Sequence, residues 1–247
     1  MKTYFHAFAM CQSMFCAIPF PGNLWDEKAR DKMLLFLPVV GLEMGAIWAC
    51  IAWLCVYLQL PALVKGLILA IYPYLAAGFI HLDGYMDVTD AVKSCRSLER
   101  RREILKDSHV GSFAVIGMVL LALCGFALWS DSGEVPLVPL ALLPVAVRSA
   151  AAIAVTCMKP MGHSQYAGVF DKKERWNTLC LPVVCLLLSC TFALVCGWRG
   201  IAPTAGAVGY GLAVWYASRQ LGGMSGDVSG FGLTLGELCG AAALALL

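Results

Sequence analysis

Three aspartates, Asp83, Asp87 and Asp90, stand within the ten residues HLDGYMDVTD that follow a long apolar segment. At about 100° of turn per residue, their spacing keeps them in a stripe of roughly 60° on one helical face. Like charges so arranged repel unless something positive lies among them. Oxygen ligands from one or two carboxylates, completed by water and substrate phosphate, suit Mg²⁺. Asp83, Asp87 and Asp90 therefore read as metal ligands; the alternative is a set of solvated loop acids near a membrane surface. Gly84, beside Asp83, leaves room for a ligand or a neighbouring helix. His81 is a general base, a hydrogen-bond donor to phosphate, or an interfacial imidazole, and spacing alone does not choose among these.

Other polar groups stand out against the apolar background. Asp107 and Ser108 precede the run Val110 to Gly117, where a helix N-cap belongs; an open helix start also attracts phosphate. The run Arg100, Arg101, Arg102 reads as a solvated topology determinant, with binding of an anionic substrate as a compatible second role. Arg148 lies in an apolar segment and cannot shed its charge, so it must face the bundle interior and find an anion. Phosphate and Glu43 are the candidate partners, and Glu237 is a further intramembrane acid. In GGMSGDVSG, Gly222, Gly223 and Gly226 surround a single acid, Asp227. Such backbone offers N–H groups to phosphate or simply makes a tight turn. No strand precedes it, as the known nucleotide-binding glycine loops require.

These groups must be positioned by membrane helices. Of 247 residues, 60% are hydrophobic and 14% charged, with a mean hydropathy of +0.76, whereas soluble domains are about 25% charged. The expected fold is all-α: a polytopic integral membrane bundle forming one domain over residues 1–247. About seven spans are expected, at 33–60, 61–80, 112–130, 135–157, 176–198, 201–218 and 231–247, after an N-terminal interfacial or re-entrant segment. No cleavable signal peptide is expected. The twelve cysteines form no CxxC pair and read as small apolar packing residues. A net charge of +2 gives no reason to expect a nucleic-acid partner.

With the N-terminus inside, fifteen of the eighteen basic residues fall in cytoplasmic segments. Lys65 and Arg199 lie outside, and Arg148 lies within a span. The positive-inside rule thus orients the chain, and the acidic stretch, the GHSQYAG loop and the GGMSGD link all open toward the cytoplasm.

These residues resemble the cobalamin synthase family, the adenosylcobinamide-GDP ribazoletransferases, nearly end to end. HLDGYMDVTDA is similar to the family's HLDGxxDxxDG or HLDGxxDxxDA signature, and EILKDSHVGSFAV to its EIMKDxxxGxFxV continuation. IPFP with FLPVVGLEMG looks like its IPxP and FPLVG pattern, and RQLGGMSGDVSG like its RRLGGxTGDxxG segment. Val88, Ala91, Ser225 and Val228 depart from common family residues without removing a charge. The resemblance implies that the 3′-hydroxyl of α-ribazole, or of its 5′-phosphate, attacks the phosphorus nearer the corrinoid in adenosylcobinamide-GDP, releasing GMP. It further implies Mg²⁺ on Asp83, Asp87 and Asp90, with Asp227 as a further ligand. Phosphate would be held by Arg148, with Arg219 or Lys106, near Asp107 and the glycines Gly222, Gly223 and Gly226. His81 would activate the hydroxyl, with Asp83 as the alternative. The expected setting is the cytoplasmic membrane of a bacterium or archaeon, with the lipid bilayer as partner and the site facing the cytoplasm.

Two rivals are weighed against this. Another Mg²⁺-dependent membrane transferase acting on diphosphates would show either two aspartate-rich motifs or a DG and AR pair, and neither is present. An ion-coupled transporter using Glu43, Arg148 and Glu237 predicts internal symmetry and a midplane site; no repeat is evident, and the acids cluster at one face.

Overall fold

The structure, a computed structural model, describes residues 2–20, 22, 25–162 and 172–247, with the side chains of 172–175 left aside. All regular elements among them are helical. In chain order they are α1 (Lys2–Phe15), a 3-10 stretch (Glu27–Phe36) running into α2 (Leu37–Tyr57), α3 (Ala62–Ala76), α4 (Ile80–Lys93), α5 (Leu98–Ile104), α6 (Ser112–Ser130), α7 (Leu137–Cys157), α8 (Lys172–Val195), a 3-10 turn (Trp198–Ile201), α9 (Ala202–Leu221) and α10 (Gly226–Leu246).

Helices α7 and α10 form the centre. α10 packs against α9, α4 and α7, while α7 also receives α2 and α8. Side-chain-free positions let the backbones approach where no hydrophobic gradient between helix and lipid drives association. A Cβ on Gly45 would lie 2.0 Å from the carbonyl oxygen of Ala141, joining α2 tightly to α7. Indole and phenol groups tie α2 to α3: Trp48 Nε1 donates to the Leu69 carbonyl at 3.1 Å, and Tyr72 to that of Met44 at 2.8 Å. On the outside, Leu120, Leu123, Leu187, Leu188, Phe192 and Leu212 are exposed, the apolar exterior that lipid requires. All twelve cysteines are free thiols, and Cys11, Cys16 and Cys55 pack inside.

Five of the described helical segments are long and apolar enough to cross a membrane: Glu27–Tyr57, α6, α7, Trp176–Val195 and α10. The bent pair α3 and α4 makes a sixth if counted as one broken span. This is a polytopic membrane bundle with fewer spans than the seven expected. The span expected at 61–80 breaks because Gly78 and Phe79 take left-handed φ values of 60° and 63°, turning α4 by 91° from α3. A left-handed conformation costs a non-glycine residue about 1–2 kcal/mol; the exposed Phe79 takes it as its N–H donates to the Tyr74 carbonyl at 2.9 Å, closing the end of α3. The helix at 202–221 is 20 residues long, but its glycines and polar last turn leave it less apolar than the others. The interfacial segment expected at the N-terminus is α1, whose exit is tied to the end of α3 by Ala17 N donating to the Ala76 carbonyl at 2.7 Å.

The two ends of the bundle differ in kind. At one end Lys65 Nζ and Arg199 Nη1 each donate at 2.7 Å to adjacent carbonyls, those of Gly133 and Glu134. The two basic residues counted outside therefore meet on one turn. At the opposite end Arg101 and Arg102 of α5 reach the C-terminus of α9, Arg102 Nε donating to the Leu221 carbonyl at 2.8 Å. There too Met161 N donates to the Met224 carbonyl at 2.8 Å and Met224 N to that of Lys159 at 2.9 Å. Of the three polar segments expected to share a face, the acidic stretch and the GGMSGD link do so. The GHSQYAG loop lies outside the described residues beyond Gly162.

Candidate active site at the crossing of α4 and α10

Two glycines let α4 and α10 cross almost backbone to backbone. A Cβ on Gly84 would stand 2.9 Å from both Cα and the carbonyl oxygen of Asp227, and one on Gly230 would stand 3.1 Å from the carbonyl oxygen of His81. That carbonyl accepts from Thr234 Oγ1 at 3.1 Å, and Tyr85 stacks on Phe231 at 5.6 Å between ring centres. Ser225 caps α10, its Oγ accepting from Val228 N at 3.2 Å. The helix that begins at Gly226 thus presents Asp227 in its first turn, against the acidic row of α4.

The consequence is a cluster of carboxylates. α4, with 14 residues, is not itself one of the five spanning segments. On it the Asp87 carboxyl is pushed up to about 7, first by burial and then by Asp83, Asp227 and Asp90. Among the described residues none of the four forms a salt bridge. Nor do three carboxylates, imidazoles or thiols close tightly on one point. That fits Mg²⁺ better than an all-protein cage, because this ion keeps several waters and needs only one or two carboxylates beside phosphate oxygens. The donor set, all hard oxygen, matches.

His81 opens α4 and is only 6% exposed. Burial, with the charge of Arg148 as a smaller cause, lowers its pKa to about 3, so the ring is neutral. Phe15 stacks against it at 6.3 Å, and Nε2 is buried without a partner.

Two cavities flank the acidic row. One, of about 360 Å³, has His81, Asp83, Lys106, Ser225 and Asp227 on its polar side and Met14, Phe15, Leu34, Leu37 and Leu233 on its apolar side. The other, of about 740 Å³ and open to the surface, is lined by Asp90, Arg96, Arg100, Gly111 and Ser112. Asp90 thus lines the other cavity from Asp83, about two turns along the same face of α4, and its carboxylate fills the space where a Gly111 Cβ would be.

Several residues expected at the site have other employment. Arg148 is fully buried, and its Nη1 donates to Glu237 Oε1 at 2.5 Å; its anion is Glu237, not Glu43, and it lines neither cavity. Arg219 is exposed and lies over the Trp215 ring at 6.0 Å. Of the three glycines, only Gly226 lines a cavity. Gly222, at φ 78°, ends α9, and its N–H donates to Ser218 O at 2.8 Å; Gly223 leaves room for Met161. Asp107 does not cap α6, which begins after Gly111 without a side-chain cap; its Oδ1 instead accepts from His109 N at 3.0 Å. Sequence reasoning missed Met14, Phe15 and Arg96. The apolar face of α1 carried no spacing signal, and Arg96 stood apart from the arginine run.

Comparison with known proteins bears on this arrangement. The cobalamin-5-phosphate synthase family model matches residues 7–245. An adenosylcobinamide-GDP ribazoletransferase of Clostridium botulinum is 34% identical over 244 residues, covering 97% of each chain. One from Clostridium perfringens is 32% identical over the full length of both, and one from Desulfitobacterium hafniense 34% identical over 90% of this chain and 88% of its own. No solved structure matches.

Proposed function

The chain belongs to the cobalamin-5-phosphate synthase family, and from that premise we propose how its site works. The reaction is transfer of the phosphocorrinoid group of adenosylcobinamide-GDP to the 3′-hydroxyl of α-ribazole or its 5′-phosphate, a late step of cobalamin biosynthesis. The ribose oxygen bonds to the phosphorus nearer the corrinoid. The bond from that phosphorus to the bridging oxygen breaks, and GMP departs with the bonding pair. The hydroxyl proton passes to the Asp83 carboxylate. The observation that carries this reading is the carboxylate cluster of α4 and Asp227, left without a cation by the described residues.

Asp83, Asp87 and Asp227 would hold Mg²⁺, which when bound supplies charge compensation for the diphosphate oxygens, while Asp90, expected as a further ligand, lines the other cavity. His81, neutral, lines the cavity with its Nε2 buried and unpartnered, and orients the attacking hydroxyl. Its low basicity makes Asp83 the proton acceptor. Lys106, on the same wall, meets a phosphate oxygen. Burial of the reacting groups among apolar residues limits competing hydrolysis by water.

The test is GMP release by purified protein in lipid supplied with adenosylcobinamide-GDP, α-ribazole and Mg²⁺. Absence of GMP across lipid compositions defeats the reading. The site faces the cytoplasm of a bacterial inner membrane, as the distribution of basic residues supports. Native thiols test that orientation. Cys95, exposed at the end of α4, should react with a membrane-impermeant maleimide only from the cytoplasmic side, and Cys196, exposed beyond α8, only from the other. The reverse pattern inverts the topology.

A further inference from the structure

We propose that the two substrates occupy separate cavities on either side of the acidic row: the nucleoside acceptor enters the enclosed cavity under α1, and the guanine nucleotide half of the donor lies in the open cavity beside Arg96 and Arg100. This rests on the reaction proposed above and deepens it.

The enclosed cavity is amphipathic in a particular sense. Its apolar part, from Met14, Phe15, Leu34 and Leu233, offers flat and aliphatic surface with no hydrogen-bond donor for a heterocycle edge. At its polar end stand Asp83 and Asp227, with His81 Nε2 buried and unpartnered. A nucleoside with an apolar bicyclic base matches both ends: the base covers the apolar wall, and the ribose hydroxyls reach His81 and Asp83. A guanine matches the apolar wall less well, because its exocyclic amine and carbonyl would be left unpaired wherever they met leucine and methionine. A corrin ring system does not match, because it exceeds about 360 Å³ of enclosed space.

The second cavity is twice as large, open, and carries two guanidiniums, from Arg96 and Arg100, groups that bind phosphate bidentately; Arg100 shares its charge with Glu103, Nη1 donating to Oε2 at 2.6 Å. Displacement at phosphorus puts attacking and leaving oxygens on opposite sides. The row from Asp83 to Asp90 is about 10 Å long at 1.5 Å per residue, with one end in each cavity. An acceptor arriving from the Asp83 end therefore expels GMP toward the Asp90 end. The corrinoid stays outside both, over the open mouth.

Wild-type kinetics test this first. GMP should inhibit competitively against adenosylcobinamide-GDP and without competition against α-ribazole, and in equilibrium dialysis α-ribazole should bind donor-free protein undisplaced by GMP. GMP that displaces α-ribazole overturns separate cavities even if turnover is normal; a wild type that releases no GMP defeats the reaction instead. Variants then assign the occupants. Phe15→Leu and Leu233→Phe should raise KM for α-ribazole about tenfold, leaving KM for the donor nearly unchanged. Arg96→Gln with Arg100→Gln should do the reverse and weaken GMP inhibition by a similar factor. An opposite split, or equal effects on both substrates, overturns the assignment.

Discussion

Buried and half-buried charge appears twice in this bundle, with opposite outcomes. Arg148 and Glu237, on the two central helices α7 and α10, neutralise each other: the guanidinium is fully enclosed and the carboxylate nearly so. Less than three turns along α10 from Glu237, at about 3.6 residues per turn, Asp227 faces the α4 aspartates, and among the described residues no cation forms a salt bridge with them, although Lys106 lines the same cavity. The first pair is matched within the chain and belongs to the fold, although Arg148 Nε and Nη2 are buried without a partner among the described residues. The second is open and calls for a partner from outside. Charge in a membrane protein is therefore no guide to function until its compensation is known.

The largest effect should come from breaking the closed pair. Glu237→Ala leaves Arg148 buried without its carboxylate and should lower stability by about 3–5 kcal/mol, read as loss of folded protein in detergent. The double change Arg148→Met with Glu237→Leu should recover most of it. If Glu237→Ala instead keeps its stability and loses only turnover, the pair belongs to the chemistry and the contrast fails. Breaking the open cluster should do the converse. Asp83→Asn and Asp87→Asn should each cut turnover on the order of a hundred- to thousandfold, the scale seen when one transition-state charge stabiliser is lost. Their thermal stability should hold or rise as repulsion is relieved; full activity in either removes that residue from the metal role.

A third test uses pH. The Asp87 carboxyl titrates at about 7 in the folded protein, against an ordinary value of 3.8, so between these the folded state holds a proton that the unfolded state has lost. Stability of metal-free protein should therefore fall as pH rises from about 4 through 7. Asp87→Asn should flatten that slope. Mg²⁺ at a hundred times its Kd should raise stability by about 2.7 kcal/mol, most visibly above pH 7, and EDTA should remove the gain; no effect of Mg²⁺ at any pH would falsify the open cluster as its site. Arg219→Gln marks the lower end. An exposed cation over Trp215 should change stability and turnover by no more than about 0.5 kcal/mol.

Much of the site was legible because its signals are local. The spacing of Asp83, Asp87 and Asp90 declares a common helical face whatever surrounds it, and Gly84 beside them forecast the close approach that Asp227 makes. The basic residues sorted the loops by side, and Lys65 and Arg199 do meet at the far end. What failed depended on partners distant in the chain. The partner of Arg148 is 89 residues away, and nothing in an apolar run tells which acid will face it. Gly222 and Gly223 looked like a phosphate loop because a positive-φ turn and an anion cradle draw on the same residue. The broken span at Gly78 and Phe79 escaped notice because half of the left-handed turn falls on a non-glycine residue, which composition does not mark.

The amino-acid order by itself determined that this chain is a helical membrane protein, which helical face carries its acids, and to which family it belongs. These follow from composition, a 3.6-residue period and motif spacing, all of which act over a few turns. Only the tertiary structure decided that α4 turns aside from α3, that Arg148 is spent on Glu237, and that the acidic row divides two cavities of unlike chemistry. Each of those depends on which helices pack together, and packing joins residues whose separation along the chain carries no signal.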